Sequence, residues 1–259
     1  MNQALRPPEL RALGLTGIGE LMPGQDLAAL SCEAIRRIGF EPLTGDVVVF
    51  AQKAVSKVEG RTVRLADVRP SALATRWALA HEKDPRFIEV VFAEAKRIVR
   101  MDRDVLICET AHGFVCANAG VDASNVPDEC VTLLPVDPDA SAERLCARIS
   151  ATFGVQIGVI ITDTFGRPWR EGLVNVALGV AGVASCIDYR GQRDAHGRSL
   201  AITVMATADE IASAAELVMG KTAQVPVAIV RLRNDSYPLS SAGGSGRDLV
   251  RPSERDLFR

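Results

Sequence analysis

The segment Val155–Thr162, VQIGVIIT, constrains this chain more than any other. It is apolar on both faces rather than on alternate residues, so it is expected to form a central strand covered from two sides. Asp163 and Thr164 follow at once, and then the polar loop FGRPWREG. A fold that buries this strand must therefore set a carboxylate and a hydroxyl where the sheet meets water.

Other elements can be placed around it. Asp26 is expected to cap a helix carrying Leu27, Leu30, Ala34, Ile35 and Ile38, stopped by Gly39. Val47–Phe50 reads as a buried strand because β-branched residues pack well on a pleated surface. A wide apolar stripe predicts a helix over Pro85–Val99. Asp104–Glu109 and Phe114–Asn118 form a hairpin around Ala111-His112-Gly113. Ala140–Phe153 is helical, with Asp139 before it and Gly154 after it. Ser185–Arg190 and Leu200–Ala206 flank the turn-rich stretch Gly191–Gly197. Thr207 to Glu210 has the pattern of a capping box that opens a helix ending at Gly220, and Val225–Leu232 is the last strand. The small residues of Gly172–Ser185 mark close helix packing. Hairpin signals recur and no steady βαβ rhythm appears, so the expected class is α+β with mixed or antiparallel sheets and packed helices. Residues 1–239 are expected to form the main unit, in one or two subdomains, with 240–259 a flexible or late-docking tail.

The chain has 259 residues, 47% of them hydrophobic, enough to bury a sizeable core. Its 30 basic side chains nearly balance 32 acidic ones, which argues against a nucleic-acid footprint or an anionic membrane partner. The six cysteines lack C-x-x-C spacing and histidines at zinc-ligand distance, so neither a disulfide framework nor a zinc site is expected. No signal-peptide pattern opens the sequence, and no apolar run approaches the roughly 20 residues of a membrane span; the expected location is cytoplasmic.

Three enzyme classes drop out. GKT at Gly220–Thr222 lacks the glycine five residues earlier, where Ala215 stands, and it follows a helix instead of opening one. No G-x-G-x-x-G follows a strand, and no G-x-S-x-G elbow is present. What remains are polar clusters after apolar strands. Asp163 with Thr164 suits a hard cation, since a sheet fixes the oxygens while the next residues stay wet; a turn cap is the alternative. Asp122 and Asn125 in AGVDASNV supply a second anion and an amide, or merely an Asx-turn. Lys53, Ser56 and Lys57 follow the Val47–Phe50 strand and could offset phosphate charge, or be solvated lysines. Arg167 and Arg170 present guanidinium forks suited to phosphate or carboxylate. Asp209 and Glu210 are left to the capping box, and the three histidines to surface or loop positions.

The runs IGELMPGQDL, GDVVVFAQKAVSKVEGR, AGVDASNV, ITDTFGRPWREG, YRGQRDAHGRSL and ADEIASAAELVMGKT occur in this order. Together they resemble the coenzyme F420-0:L-glutamate ligases, or F420 γ-glutamyl ligases, in a stand-alone form, from about Leu15 to Leu232. The resemblance implies an unusual α+β fold in an intertwined homodimer. It implies that GTP phosphorylates the carboxylate on the lactyl-phospho side chain of F420-0, that L-glutamate displaces the phosphate, and that further γ-linked glutamates follow. Two Mn2+ or Mg2+ ions and K+ are implied as cofactors, with no protein nucleophile. Asp122, Asp163 and Thr164 then look like metal ligands. Ile18, Gly19, Glu20, Leu21, Gln52, Lys57, Asn125, Met219, Gly220 and Lys221 look like nucleotide contacts. Two positions depart from the pattern. Gln52 stands where relatives usually present Ser, which leaves GTP against ATP open. Lys221 stands where many archaeal relatives use Gln as a metal ligand, and an ammonium cannot ligate a cation. A kinase or amide ligase acting on a different carboxylate would share Asp122, Asp163 and Lys57.

Overall fold

A computed structural model describes residues 7–233 and 243–257. The first elements are β1 (Glu9–Gly14), α1 (Leu27–Arg37), β2 (Val47–Ala51), α2 (Gln52–Val58), β3 (Thr62–Arg64), α3 (Ala72–Ala80) and α4 (Pro85–Glu94). Next come β4 (Ala95–Asp102), β5 (Val105–Thr110), β6 (Val115–Ala117), β7 (Cys130–Thr132) and α5 (Pro138–Phe153). The chain continues through β8 (Gly158–Arg167), β9 (Arg170–Ala181), β10 (Ile187–Asp188), β11 (Val204–Met205), α6 (Thr207–Met219) and β12 (Val227–Arg233).

The main sheet has the order β1-β12-β2-β8-β9. Only β2 and β8 are parallel; the other neighbours are antiparallel, so the sheet is mixed and the class is α+β. Alternation divides the strands between two cores. Val48, Phe50, Val159 and Ile161 pack with Ile35 of α1 and Ile149 of α5, whereas Val47, Val49 and Ile160 pack with Ile211 and Ala215 of α6. Each such large side chain stabilises the fold by roughly 1.5–3 kcal/mol, which is why the sheet is apolar on both faces. The central placement of the VQIGVIIT strand follows from this. Asp26 caps α1 by accepting from the Ala29 amide at 3.0 Å.

Residues between α2 and α5 form a second lobe with its own core of Trp77, Ile88, Val91, Leu106 and Val131. It contains α3, α4, the β3–β7 ribbon and the sheet β4-β5-β6. Its neck is closed where the Leu133 amide donates to the Arg61 carbonyl (3.0 Å) and Arg61 Nε donates to the Leu134 carbonyl (3.0 Å).

Four local expectations need correction. The helix from Pro85 ends at Glu94, because from Ala95 the backbone pairs with β5 and Lys96 and Arg97 both reach Glu109, at 3.2 and 2.9 Å. Cross-strand pairing there overrides the helical periodicity. The apolar strand does not stop at Thr162: β8 runs on to Arg167, and the presumed polar loop is the far half of a hairpin with β9. The helix α5 starts at Pro138 with Asp137 as its cap, while Asp139 in the first turn accepts from the Val180 amide at 2.9 Å. No capping box opens α6, whose N-cap is Ala206; Asp209 instead accepts from the Ala177 amide at 2.8 Å.

The stretch 172–185 is largely strand β9, and its glycines admit helix α5. A Cβ on Gly179 would lie 2.2 Å from the Pro138 carbonyl oxygen. Residues 244–246 lie against this stretch. Ser185 Oγ donates to the Ser245 carbonyl (2.8 Å), Ser245 Oγ to Asp139 (2.6 Å), and the Gly246 amide to Asp139 (2.7 Å). Residues 240–242, 258 and 259 of the expected tail lie outside the described residues.

Candidate active site

The register brings four segments to one edge of the main sheet. Gly14 at the end of β1 faces Ala228, Val227 at the start of β12 faces Phe50, and Ala51 at the end of β2 faces Thr162. The loop after β1, the start of α2, the continuation of β8 and the residues between α6 and β12 therefore emerge together. Because β2 ends opposite Thr162, Asp163 is the first residue of β8 without a parallel neighbour; its remaining partner is Val176 of β9. Asp163 thus stands where lateral pairing ceases, although the strand itself continues.

Asp122 reaches this edge from the second lobe. Its backbone is fixed by exchange with Thr132, at 3.0 and 2.8 Å. Its carboxylate receives the Ser124 amide at 2.6 Å and pairs with the Lys53 ammonium at 2.8 Å, and Lys53 also touches Ser124 Oγ. Burial raises the Asp122 pKa, but the Lys53 and Ser124 hydrogen bonds outweigh it and hold the carboxyl below the usual range. Asp163 behaves oppositely. Burial, opposed by the Thr164 amide, and then the Asp122 charge push it up to about 6; Lys53 and Lys221 pull the other way. The two carboxyls feel one another, and Asp122 ionises first.

Thr164 points to the opposite face of β8, donating to Asn175 Oδ1 at 2.7 Å and receiving the Lys221 ammonium. Lys221 also pairs with Glu216 at 3.1 Å. Lys57 pairs with Glu20 at 2.6 Å. The loop carrying Glu20 is pinned by the buried Ile18 and Leu21 and turned by Gly17 and Gly19, whose φ values of 74° and 79° suit glycine. Gln52 is buried at the start of α2; its Oε1 accepts from Ser56 Oγ at 2.9 Å, while its Nε2 has no partner among the described residues.

The structure thus collects Asp122, Asp163, Thr164, Lys53 and Lys221 through direct contacts or mutual charge, with Lys57, Glu20 and Gln52 on the adjoining segments. Asn125 lies three residues past Asp122 in an exposed turn with φ 57°. Met219 faces the core, so only its backbone and that of Gly220 border the edge. Arg167 and Arg170 face each other at the hairpin tip, roughly 13 Å along β8 from Asp163, and Arg167 donates to the Glu171 carbonyl at 3.0 Å. Sequence reasoning missed Asn175 and Glu216. Asn175, buried within the apolar strand LVNVAL, carried a signal, since an amide in such a run needs a polar partner. Glu216 carried none.

Among the described residues no three His, Cys, Asp or Glu side chains converge as metal ligands. The carboxylates of Asp122 and Asp163 are hard oxygen donors that suit Mg2+ or Mn2+ when phosphate oxygens complete the shell, whereas Thr164 Oγ lies on the other face of β8 and is engaged by Lys221. No helix among the described residues is long and apolar enough to cross a membrane.

An α+β sheet edge thus carries two carboxylates, flanking lysines and a glycine-turned loop. The profile of the F420-0:Gamma-glutamyl ligase family matches residues 17–232, and this chain belongs to that family. It is 45% identical to the coenzyme F420:L-glutamate ligase of Methanothermobacter thermautotrophicus, over 95% of this chain and 98% of that one. Identity to the enzyme of the same name from Methanopyrus kandleri is also 45%, over 93% and 94%. For that of Archaeoglobus fulgidus it is 40%, over 94% of each.

Proposed function

We propose that this protein joins L-glutamate to the carboxylate of coenzyme F420-0 at the expense of GTP, then adds further γ-linked glutamates. One observation carries the reading: Asp122, ion-paired with Lys53, reaches from the second lobe close enough for both charges to act on Asp163, in a chain that shares nearly its full length with coenzyme F420:L-glutamate ligases.

The acceptor carboxylate attacks the γ-phosphorus, the bond to the β–γ bridging oxygen breaks, and GDP leaves. The glutamate α-amine then attacks the acyl carbon, inorganic phosphate departs, and the amine gives up its proton to solvent. Negative charge grows on phosphate oxygens in the first step, so catalysis is chiefly charge compensation and positioning. Lys57 and the Ile18–Leu21 loop hold the nucleotide, together with Gln52, Asn125 and the backbone of Gly220 and Lys221. Asp122 and Asp163 would hold Mn2+ or Mg2+, which when bound offsets phosphate charge, Thr164 on the other face of β8 would serve the second such ion, and K+ is an additional ion. Lys221, paired with Thr164, supplies a fixed positive charge beside that set. Arg167 and Arg170 remain candidates for contacts further along the substrate. A cytoplasmic homodimer belongs to the same reading and rests on the resemblance alone.

Purified protein incubated with F420-0, L-glutamate, GTP and Mn2+ is expected to yield a product heavier by one glutamyl residue, followed by longer forms, in mass spectrometry. Absence of any glutamylated product overturns the proposal.

A further inference from the structure

A cleft of about 340 Å3 borders the β8–β9 hairpin, reached from Asp163 through Val176 opposite it and Phe165 two residues on. No register shift interrupts β8 between Thr162 and Gly166, so side chains alternate cleanly there. Asp163 and Phe165 share one face, about 7 Å apart along the strand, and Thr164 turns to the other face with Lys221. Val176, directly opposite Asp163, lines the cleft, as does Phe165. Phe114 and Val115 of the second lobe form the facing wall. The remaining wall comes from residues 249–251 of the C-terminal segment.

That last wall is held in place by construction. Ser245 and Gly246 are tied to Asp139 and Ser185, and a Cβ at Gly246 would lie 2.0 Å from the Leu178 carbonyl oxygen, so the segment crosses β9 in van der Waals contact. Leu249 consequently packs on the core beneath α6 and Val250 on a small cluster of Phe114, Leu134 and Leu178, and Arg251 brings a guanidinium to the rim. The wall lies outside the stretch 17–232 that the family profile matches.

We propose that this cleft receives the flat aromatic body of the acceptor acid, with residues 249–251 as the wall that selects it. The assignment rests on the ligase reading above. The walls are mostly apolar and carry two aromatic rings, and the carboxylates of Asp209 and Asp256 also line the cleft; such a lining suits a planar ring system far better than a triphosphate, whose charge belongs with the lysines on the adjoining segments. A ring seated between Phe114 and Phe165 directs its acidic arm along the hairpin toward Asp163. Arg251 offers a cation to an anionic linker on that arm.

The test uses full-length protein and steady-state kinetics with F420-0, GTP and L-glutamate. Val115→Trp fills the cleft from an exposed strand position, and Arg251→Ala removes the rim charge without altering volume at the centre. Both are expected to raise the KM for F420-0 by roughly tenfold or more, the scale of a changed pocket contact, while the KM values for GTP and glutamate hold. An unchanged KM for F420-0 in both variants, with wild-type turnover intact, overturns the cleft assignment and leaves the ligase reading standing. A rise in the KM for GTP instead assigns the cleft to the nucleotide and also overturns it. A wild-type protein that glutamylates nothing removes both proposals together.

Discussion

The Lys53 ammonium lies 2.8 Å from the Asp122 carboxylate, and this pair stitches the second lobe to the carboxyl edge of the main sheet. Lys53 lies in the first turn of α2, which follows β2 directly, and Asp122 is fixed by its exchange with Thr132, so neither end of the bridge hangs on a free loop. The same ammonium moderates Asp163. Two acids and one base from three segments thus behave as a single electrostatic unit.

Asp163→Asn keeps the shape and hydrogen-bonding reach of the side chain but removes its charge. Turnover is expected to fall by roughly 100-fold or more, in line with the loss of a preorganised electrostatic group, while the thermal midpoint at neutral pH holds or rises, because burial penalises the ionised carboxyl that the amide replaces. Glutamate incorporation measured beside thermal unfolding checks this. Turnover at the wild-type rate would sink the role given to the carboxylate.

Lys57→Ala removes the ammonium that Glu20 now holds at 2.6 Å. A hydrogen bond to a charged group contributes about 1.5–3 kcal/mol, so the apparent affinity for GTP should drop by about tenfold or more. Values of kcat at saturating nucleotide should move much less. Equal GTP affinity in variant and wild type counts against this contact.

Asp209, which lines the cleft beside the β8–β9 hairpin, gives a pH signature of its own. Burial raises its pKa, opposed by the Ala177 amide it accepts. A raised acid binds its proton more tightly in the folded state, so its presence costs nothing below the ordinary carboxylate value. The penalty grows as pH climbs from there through the folded pKa, then stays constant. Asp209→Asn should therefore match the wild-type thermal midpoint in acid and exceed it at neutral pH. A constant difference across the titration excludes Asp209 as the source.

Asp46 is buried and receives Arg231 Nε at 2.7 Å, Arg231 Nη2 at 2.6 Å and the Leu43 amide at 2.8 Å. Asp46→Ala strands a guanidinium and an amide between β2 and β12. The expected cost is about 3–5 kcal/mol of unfolding free energy, read from the denaturant midpoint. A loss below about 1 kcal/mol would mean that water replaces the carboxylate at little cost.

Local chemistry in the sequence accounts for much of the fold. The Asp26 cap, the Val47–Phe50 strand, the hairpin around His112 and the stop at Gly154 all depend on neighbours within a few residues, and all appear in the structure. The errors share a cause. Ala95–Val99 continues an amphipathic helical pattern, yet its backbone pairs with β5, and Phe165–Arg167 looks like a loop until β9 lies alongside. In both places a distant partner supplies hydrogen bonds that local periodicity does not encode.

The residues of the edge followed the same division. A carboxylate and a hydroxyl after an apolar strand, an acid in a small-residue turn and a lysine pair after a second strand were each visible by type, and the ordered motifs identified the family. Only the tertiary structure decided that Asp122 meets Lys53, that Lys221 rests on Thr164, that Asn175 joins them and that residues 249–251 wall the neighbouring cleft. Composition and periodicity specify which faces are buried. Which charges share an environment depends on sheet order and on the docking of one lobe against another, relationships set by contacts far apart in the chain.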